Sequence, residues 1–128
     1  MIKFLAGIFT LFMCGIVFWA DSGYAFDAIS LLMRIPHGDK LAHFLLLGTL
    51  SFLINSSLSC RKLPINGHNI LLGSLLIAVV ISLEEFSQAF IPHRNFEILD
   101  IVCNYAGIFT FGKLALFYDS KKGSTVSV

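Results

Sequence analysis

The stretch ILLGSLLIAVVISLEEFSQAF, Ile70–Phe90, decides the fold. From Ile70 to Leu83 it is apolar apart from Gly73, Ser74 and Ser82, and it then closes on Glu84, Glu85 and Gln88. A bilayer core of about 30 Å takes roughly 20 mostly apolar residues as helix, and this run has that length. Charged side chains at membrane depth are expensive and are kept where they are paired or functional. The acidic end of this run is therefore the first candidate for a site.

Working outward, three further stretches have the same character: Phe4–Ala20, Leu41–Leu58 and Ile98–Tyr118. Pro36, Pro64 and Pro92 all fall between them, where a missing N–H costs least. The chain has 128 residues, room for one domain, and is 56% hydrophobic and 13% charged with thirteen phenylalanines. Ordinary soluble domains carry roughly 25% charge. The expectation is an all-α integral membrane bundle of four transmembrane helices.

The first stretch admits a second reading, a signal peptide with Lys3 as its basic start and Gly23 with Ala25 as the cleavage site. Its apolar part is about 17 residues against the usual 7 to 15 or so, which favours an uncleaved anchor. A net charge of +1 offers no basic stripe for a phosphate backbone, so nucleic acid is excluded as a partner. Three cysteines, with Cys14 and Cys103 in apolar stretches and Cys60 in a polar loop, read as small buried thiols rather than a disulfide framework.

Basic residues near span ends are retained in the cytoplasm. Lys3, Arg61, Lys62, Lys113, Lys121 and Lys122 lie on one side, Arg34, Lys40 and Arg94 on the other. This bias puts both termini in the cytoplasm and the first and third loops outside, in a multi-pass inner-membrane protein. In that orientation Asp39, Lys40 and His43 open the second span from outside. Glu84, Glu85 and Gln88 end the third near the outer surface, and Arg94, Glu97, Asp100 and Asn104 lead into the fourth. Asp39 with His43, Glu84 with Gln88, and Asp100 with Asn104 are each four apart and share a helix face. In lipid these faces must turn toward one another or toward water. Gly48, Gly73, Ser74, Gly107 and Gly112 are small enough to let membrane helices approach closely.

The strings DKLAH (Asp39–His43), EFSQ (Glu85–Gln88), PHR (Pro92–Arg94) and DIVCN (Asp100–Asn104), followed by Gly107, resemble the signature of the VanZ-like family of small bacterial membrane proteins. In that family a Gly usually precedes the arginine, where this chain has His93. The expected organisation is an N-terminal anchor and outer loop over residues 1–38, a three-helix membrane domain over 39–118 that carries the VanZ-like resemblance, and a disordered tail over 119–128. The family's named member is associated with resistance to the glycopeptide teicoplanin, and the resemblance supplies no reaction.

Four readings of the cluster follow. A lipid or lipid-linked envelope precursor binds through its anionic head group to Lys40 and Arg94, with Asp39, Gln88 and Asn104 completing the ligand site. Alternatively, His43 or Glu85 is a general acid or base and Asp100 orients it, in a hydrolase or transferase. Third, the cluster is a polar staple fixing helix register. Fourth, His43, Glu85, Asp100 and His93 hold a divalent ion, although no HxxxH or CxxC spacing supports this; no metal and no cofactor are expected. Transport would need a homo-oligomer, because four spans enclose little space. His37 and His68 fall in loops and read as solvated.

The orientation is testable with Asn95→Cys in a variant lacking the three native cysteines. An impermeant maleimide added to intact spheroplasts is expected to label it; labelling only after the membrane is permeabilised would reverse the topology.

Overall fold

The computed structural model describes residues 1–23, 27, 30, 31, 34–92 and 97–126. Four helices are present among them: α1 (Ile2–Asp21), α2 (Gly38–Ser57), α3 (Leu72–Gln88) and α4 (Ile98–Val126). The expectation of an all-α chain needs one correction, because β1 (Lys62–Ile65) and β2 (His68–Leu71) form an antiparallel hairpin where the sequence reads as a polar loop. The register pairs Lys62 with Leu71 and Ile65 with His68. Asn66 and Gly67 at the tip have φ of 50° and 79°, the two left-handed positions that match the twist of a hairpin. Helix α3 consequently begins at Leu72, and Ile70 and Leu71 belong to a strand.

The end of α2 sets up this reversal. Ser59 N–H donates to the Ser56 carbonyl at 3.2 Å and Cys60 N–H to the Asn55 carbonyl at 2.8 Å, the paired bonds that close a helix through a left-handed residue. Cys60 is thereby buried against Leu71 and Ala115. That burial, reinforced by Asp119, raises its thiol pKa and keeps it protonated. All three cysteines are free, and Cys14 is exposed rather than buried. At the other end of the chain, α4 continues to Val126 where a disordered tail is expected. No proline interrupts the segment after Tyr118, and Lys121 lies over the Phe117 ring at 4.6 Å, one turn back.

Helices α2 and α4 run parallel, share the most extensive contact in the molecule, and are locked by small residues. A Cβ on Gly107 would strike the Phe44 carbonyl and come within 3.2 Å of the Gly48 nitrogen, so the two backbones touch there. Helix α3 packs antiparallel beside them, and α1 lies against the outside of α2, contributing Met13 to a small cluster with Leu47, Ile77 and Ile108.

The distribution of polarity is inverted relative to a water-soluble protein. Of the largest fully buried side chains, only Ile108 is apolar; the others are Glu85, Asn55, Asn104, Ser51 and Ser74. Phe4, Leu11, Phe18, Phe90 and Ile98 are each more than 70% exposed. Exposed apolar faces of this extent mark a surface that meets something other than water. Helices α1 and α4 are long and apolar enough to cross a membrane. At 17 residues α3 spans about 26 Å, and α2 carries Asp39 and Lys40 in its first turn.

Substituting Gly107→Ala must push the α2 and α4 backbones apart, whereas Gly7 faces open space. Overpacking typically costs about 1–3 kcal/mol. Thermal unfolding in detergent, followed by circular dichroism, is expected to show that loss for Gly107→Ala and none for Gly7→Ala. Equal melting of both variants would remove the backbone contact as a constraint.

Candidate functional site

The first turns of α2 and α4 start side by side, which brings Asp39 and Lys40 to Glu97 and Asp100. The Lys40 ammonium donates to Glu97 Oε2 at 2.8 Å and to Asp39 Oδ2 at 3.2 Å. Asp100 Oδ1 lies 3.6 Å away, an ion pair without hydrogen-bond contact. Lys40, expected to meet an external anion, is thus held by three carboxylates. Among the described residues this outer layer sets one cation against three carboxylates. The carboxylate oxygens of Asp39, Glu97 and Asp100 lie within 4.8 Å of one another, and the lysine supplies positive charge at that place.

One turn deeper, three helices meet through side chains. His43 Nδ1 lies 2.8 Å from Asn104 Oδ1, and Asn104 Nδ2 donates to Glu85 Oε1 at 3.0 Å. The chemistry of the middle residue fixes the roles of the others. A carboxylate can only accept, so the Asn104 amide nitrogen faces Glu85 and its oxygen faces His43. His43 Nδ1 must then carry a hydrogen, and in a neutral ring Nε2 is the lone-pair nitrogen. Among the described residues Nε2 has no hydrogen-bond partner, and the side chain is 26% exposed. Glu85 Oε1 also lies 3.7 Å from His43 Nδ1.

Glu85 is 1% exposed, and its second oxygen, Oε2, has no partner among the described residues. A buried acceptor left unpaired normally costs about 1–3 kcal/mol. Beside it, Gln88 Nε2 donates to both oxygens of Glu84 at 2.8 and 2.9 Å along one face of α3. Asp39, Lys40, His43, Glu85, Gln88, Asp100 and Asn104 therefore lie together at one end of the bundle. Arg94 and His93 fall outside the described residues. His37 and His68 are exposed; His37 caps the start of α2, two residues before Asp39, and His68 lies in β2.

Sequence reasoning overlooked a second polar layer, at the opposite end of the same interface. Asn55 Nδ2 donates to Ser74 Oγ at 2.8 Å and to the Ser51 carbonyl at 3.0 Å, while its Oδ1 accepts from the Ser74 backbone N–H at 3.2 Å. Ser51 Oγ donates to the Ile108 carbonyl at 2.7 Å. The signal was present in the chain: His43, Leu47, Ser51 and Asn55 recur at four-residue spacing on one face of α2.

The comparisons bear on what this arrangement belongs to. No curated protein and no solved structure matches the chain. A family model described as VanZ/LLP1 matches residues 5–118, from the first helix through most of the last. All the described side chains of the polar cluster lie within that match, as do the four motifs, and the chain belongs to the VanZ/LLP1 family.

Proposed function

We propose that this is a multi-pass inner-membrane protein of the bacterial cell envelope, with four transmembrane helices and both termini cytoplasmic. Its outer polar cluster binds the head group of a membrane lipid or lipid-linked envelope precursor. The observation that carries the reading is the combination of an apolar exterior with a buried carboxylate, Glu85, that keeps one oxygen unpartnered among the described residues, at the end of the bundle. Lipid tails offer that oxygen nothing, whereas a hydroxyl, amide or amine of a head group entering from the interface would complete it. Among the described residues, the three carboxylates around Lys40 favour such donor-rich head groups. An anionic head group would depend on Arg94. A lipid-linked wall precursor is the candidate that would connect the site with the teicoplanin association implied for VanZ-like proteins.

A second reading is favoured by one specific feature, the Glu85–Asn104–His43 relay. It presents His43 Nε2 as an oriented base, the arrangement needed to take a proton from a hydroxyl or water on a bound lipid. Such a proton transfer contributes typically about 10²–10⁴-fold to a rate. No nucleophilic side chain accompanies it among the residues described, so the attacking group in this reading is water or the lipid acceptor.

Native mass spectrometry of the gently extracted protein tests the first reading. Wild type is expected to carry a bound lipid, and Glu85→Gln to lose about tenfold in retention, the equivalent of about 1.4 kcal/mol. Wild type free of lipid, or equal retention in the variant, would leave the polar staple as the better account. If the relay is catalytic, His43→Ala abolishes turnover of the retained lipid while its retention and the protein's abundance stay near wild type. Parallel loss of retention and abundance in His43→Ala would instead assign the histidine to folding.

A further inference from the structure

Immediately beneath the polar cluster, the faces of α3 and α4 diverge and leave an open groove of about 480 Å³. Leu75, Ala78 and Val79 line one wall and Tyr105 and Phe109 the other. Its polar atoms are already engaged: Ser82 Oγ donates to the Ala78 carbonyl at 2.6 Å and pairs with the Tyr105 hydroxyl. The lining therefore presents hydrocarbon. The groove's upper end lies beside the site, since Ser82 is one turn from Glu85 on α3 and Tyr105 follows Asn104 on α4.

We infer that this groove holds an acyl chain of the same lipid whose head group enters the polar cluster, so that the ligand is a chain-bearing lipid recognised at both ends. The inference rests on the head-group reading above and adds the binding of the chain. The run from Leu75 to Leu83 is about 12 Å long, parallel to the helices and hence to the chains of the surrounding bilayer. A helix of another protein, about 10–12 Å across with its side chains, does not fit between two helices that pack against each other, whereas a single methylene chain does. Val79, Phe109 and their neighbours give such a chain fixed van der Waals contacts along its length that a head group alone lacks.

The test uses the full chain reconstituted in phosphatidylcholine vesicles doped with a phosphatidylethanolamine that carries a diazirine midway along one acyl chain. After irradiation, label on the peptides containing Val79 and Phe109 is expected to exceed that on the exposed face of α1 around Leu11 by about tenfold, the ratio that about 1.4 kcal/mol of preference gives. Val79→Trp is expected to remove the excess. Val79 is 53% exposed, so the added ring fills the groove without entering the core. Phe109→Trp, at a position 49% exposed, is the second groove-filling variant and is expected to act in the same direction.

Even labelling of α1 and the groove would overturn the inference. So would excess label that persists in Glu85→Gln, because the chain would then be held independently of the head group. Cross-links from the groove to a second copy of the protein, in place of lipid, would also overturn it. A dibutyryl phosphatidylethanolamine, whose chains are too short to fill the groove, separates this failure from that of the parent reading. Binding of the short lipid to wild type without excess groove label removes the chain site and leaves the head-group site standing; binding of neither lipid removes both.

Discussion

A polar group with no water beside it must find its partner within the protein, and most of this structure follows from that constraint. The exterior of the bundle is hydrocarbon, as the exposure of Phe4, Phe18 and Phe90 shows. Lipid tails satisfy no donor or acceptor. Ser51, Asn55, Ser74, Glu85 and Asn104 consequently turn inward, and each inward polar group fixes how two helices lie against one another. Apolar packing alone does this poorly in a membrane, because a leucine is as well solvated by lipid as by another leucine. Register comes from the side chains with something to lose: Lys40 sets the start of α2 against α4, Asn104 joins both to α3, and Asn55 with Ser74 closes the other end.

Close backbone approach makes these short polar bonds reachable. Gly107 against Phe44 and Gly48 brings α2 and α4 to within side-chain reach of a histidine and an asparagine. With larger residues there, the axes would separate and the relay would open. The small residues and the polar residues thus form one device. Each makes sense of the other's position.

Much of this was legible in the chain because the relevant signals are local. Hydropathy marked the helices, and four-residue spacing placed Asp100 with Asn104 and Asp39 with His43 on shared faces. The pairings were not legible, because they depend on which helices touch and at what height. Thus Lys40, adjacent to Asp39 in sequence, donates its shortest bond to Glu97, 57 residues away. The hairpin was legible and overlooked: Asn66-Gly67 is a strong turn signal, but the strands beside it are four residues each and one contains Pro64, so the segment resembled a loop. The inner Ser51–Asn55–Ser74 layer was missed for a different reason. Serine and asparagine carry no charge, and they disappear into an apolar average.

The contrast between the two polar layers bears on whether the outer one is only a staple. The inner layer is closed: Asn55 uses both ends of its amide, Ser51 and Ser74 are paired, and every member is buried. That is how a polar network looks when it serves register alone, since a half-satisfied network is worse than an apolar one. The outer layer is built differently. It uses ionisable groups where neutral amides would hold the helices at lower desolvation cost, and it reaches partial exposure at His43 and Lys40. It also stops short of satisfying Glu85 Oε2 and leaves the second histidine nitrogen free among the described residues. Interhelical hydrogen bonds in membranes are worth only about 0.6 kcal/mol on average, less than the penalty of one orphaned buried acceptor at about 1–3 kcal/mol. One open oxygen thus offsets several of the cluster's bonds, a cost that the closed inner layer does not carry and that the proposed head group, arriving from the interface, would remove.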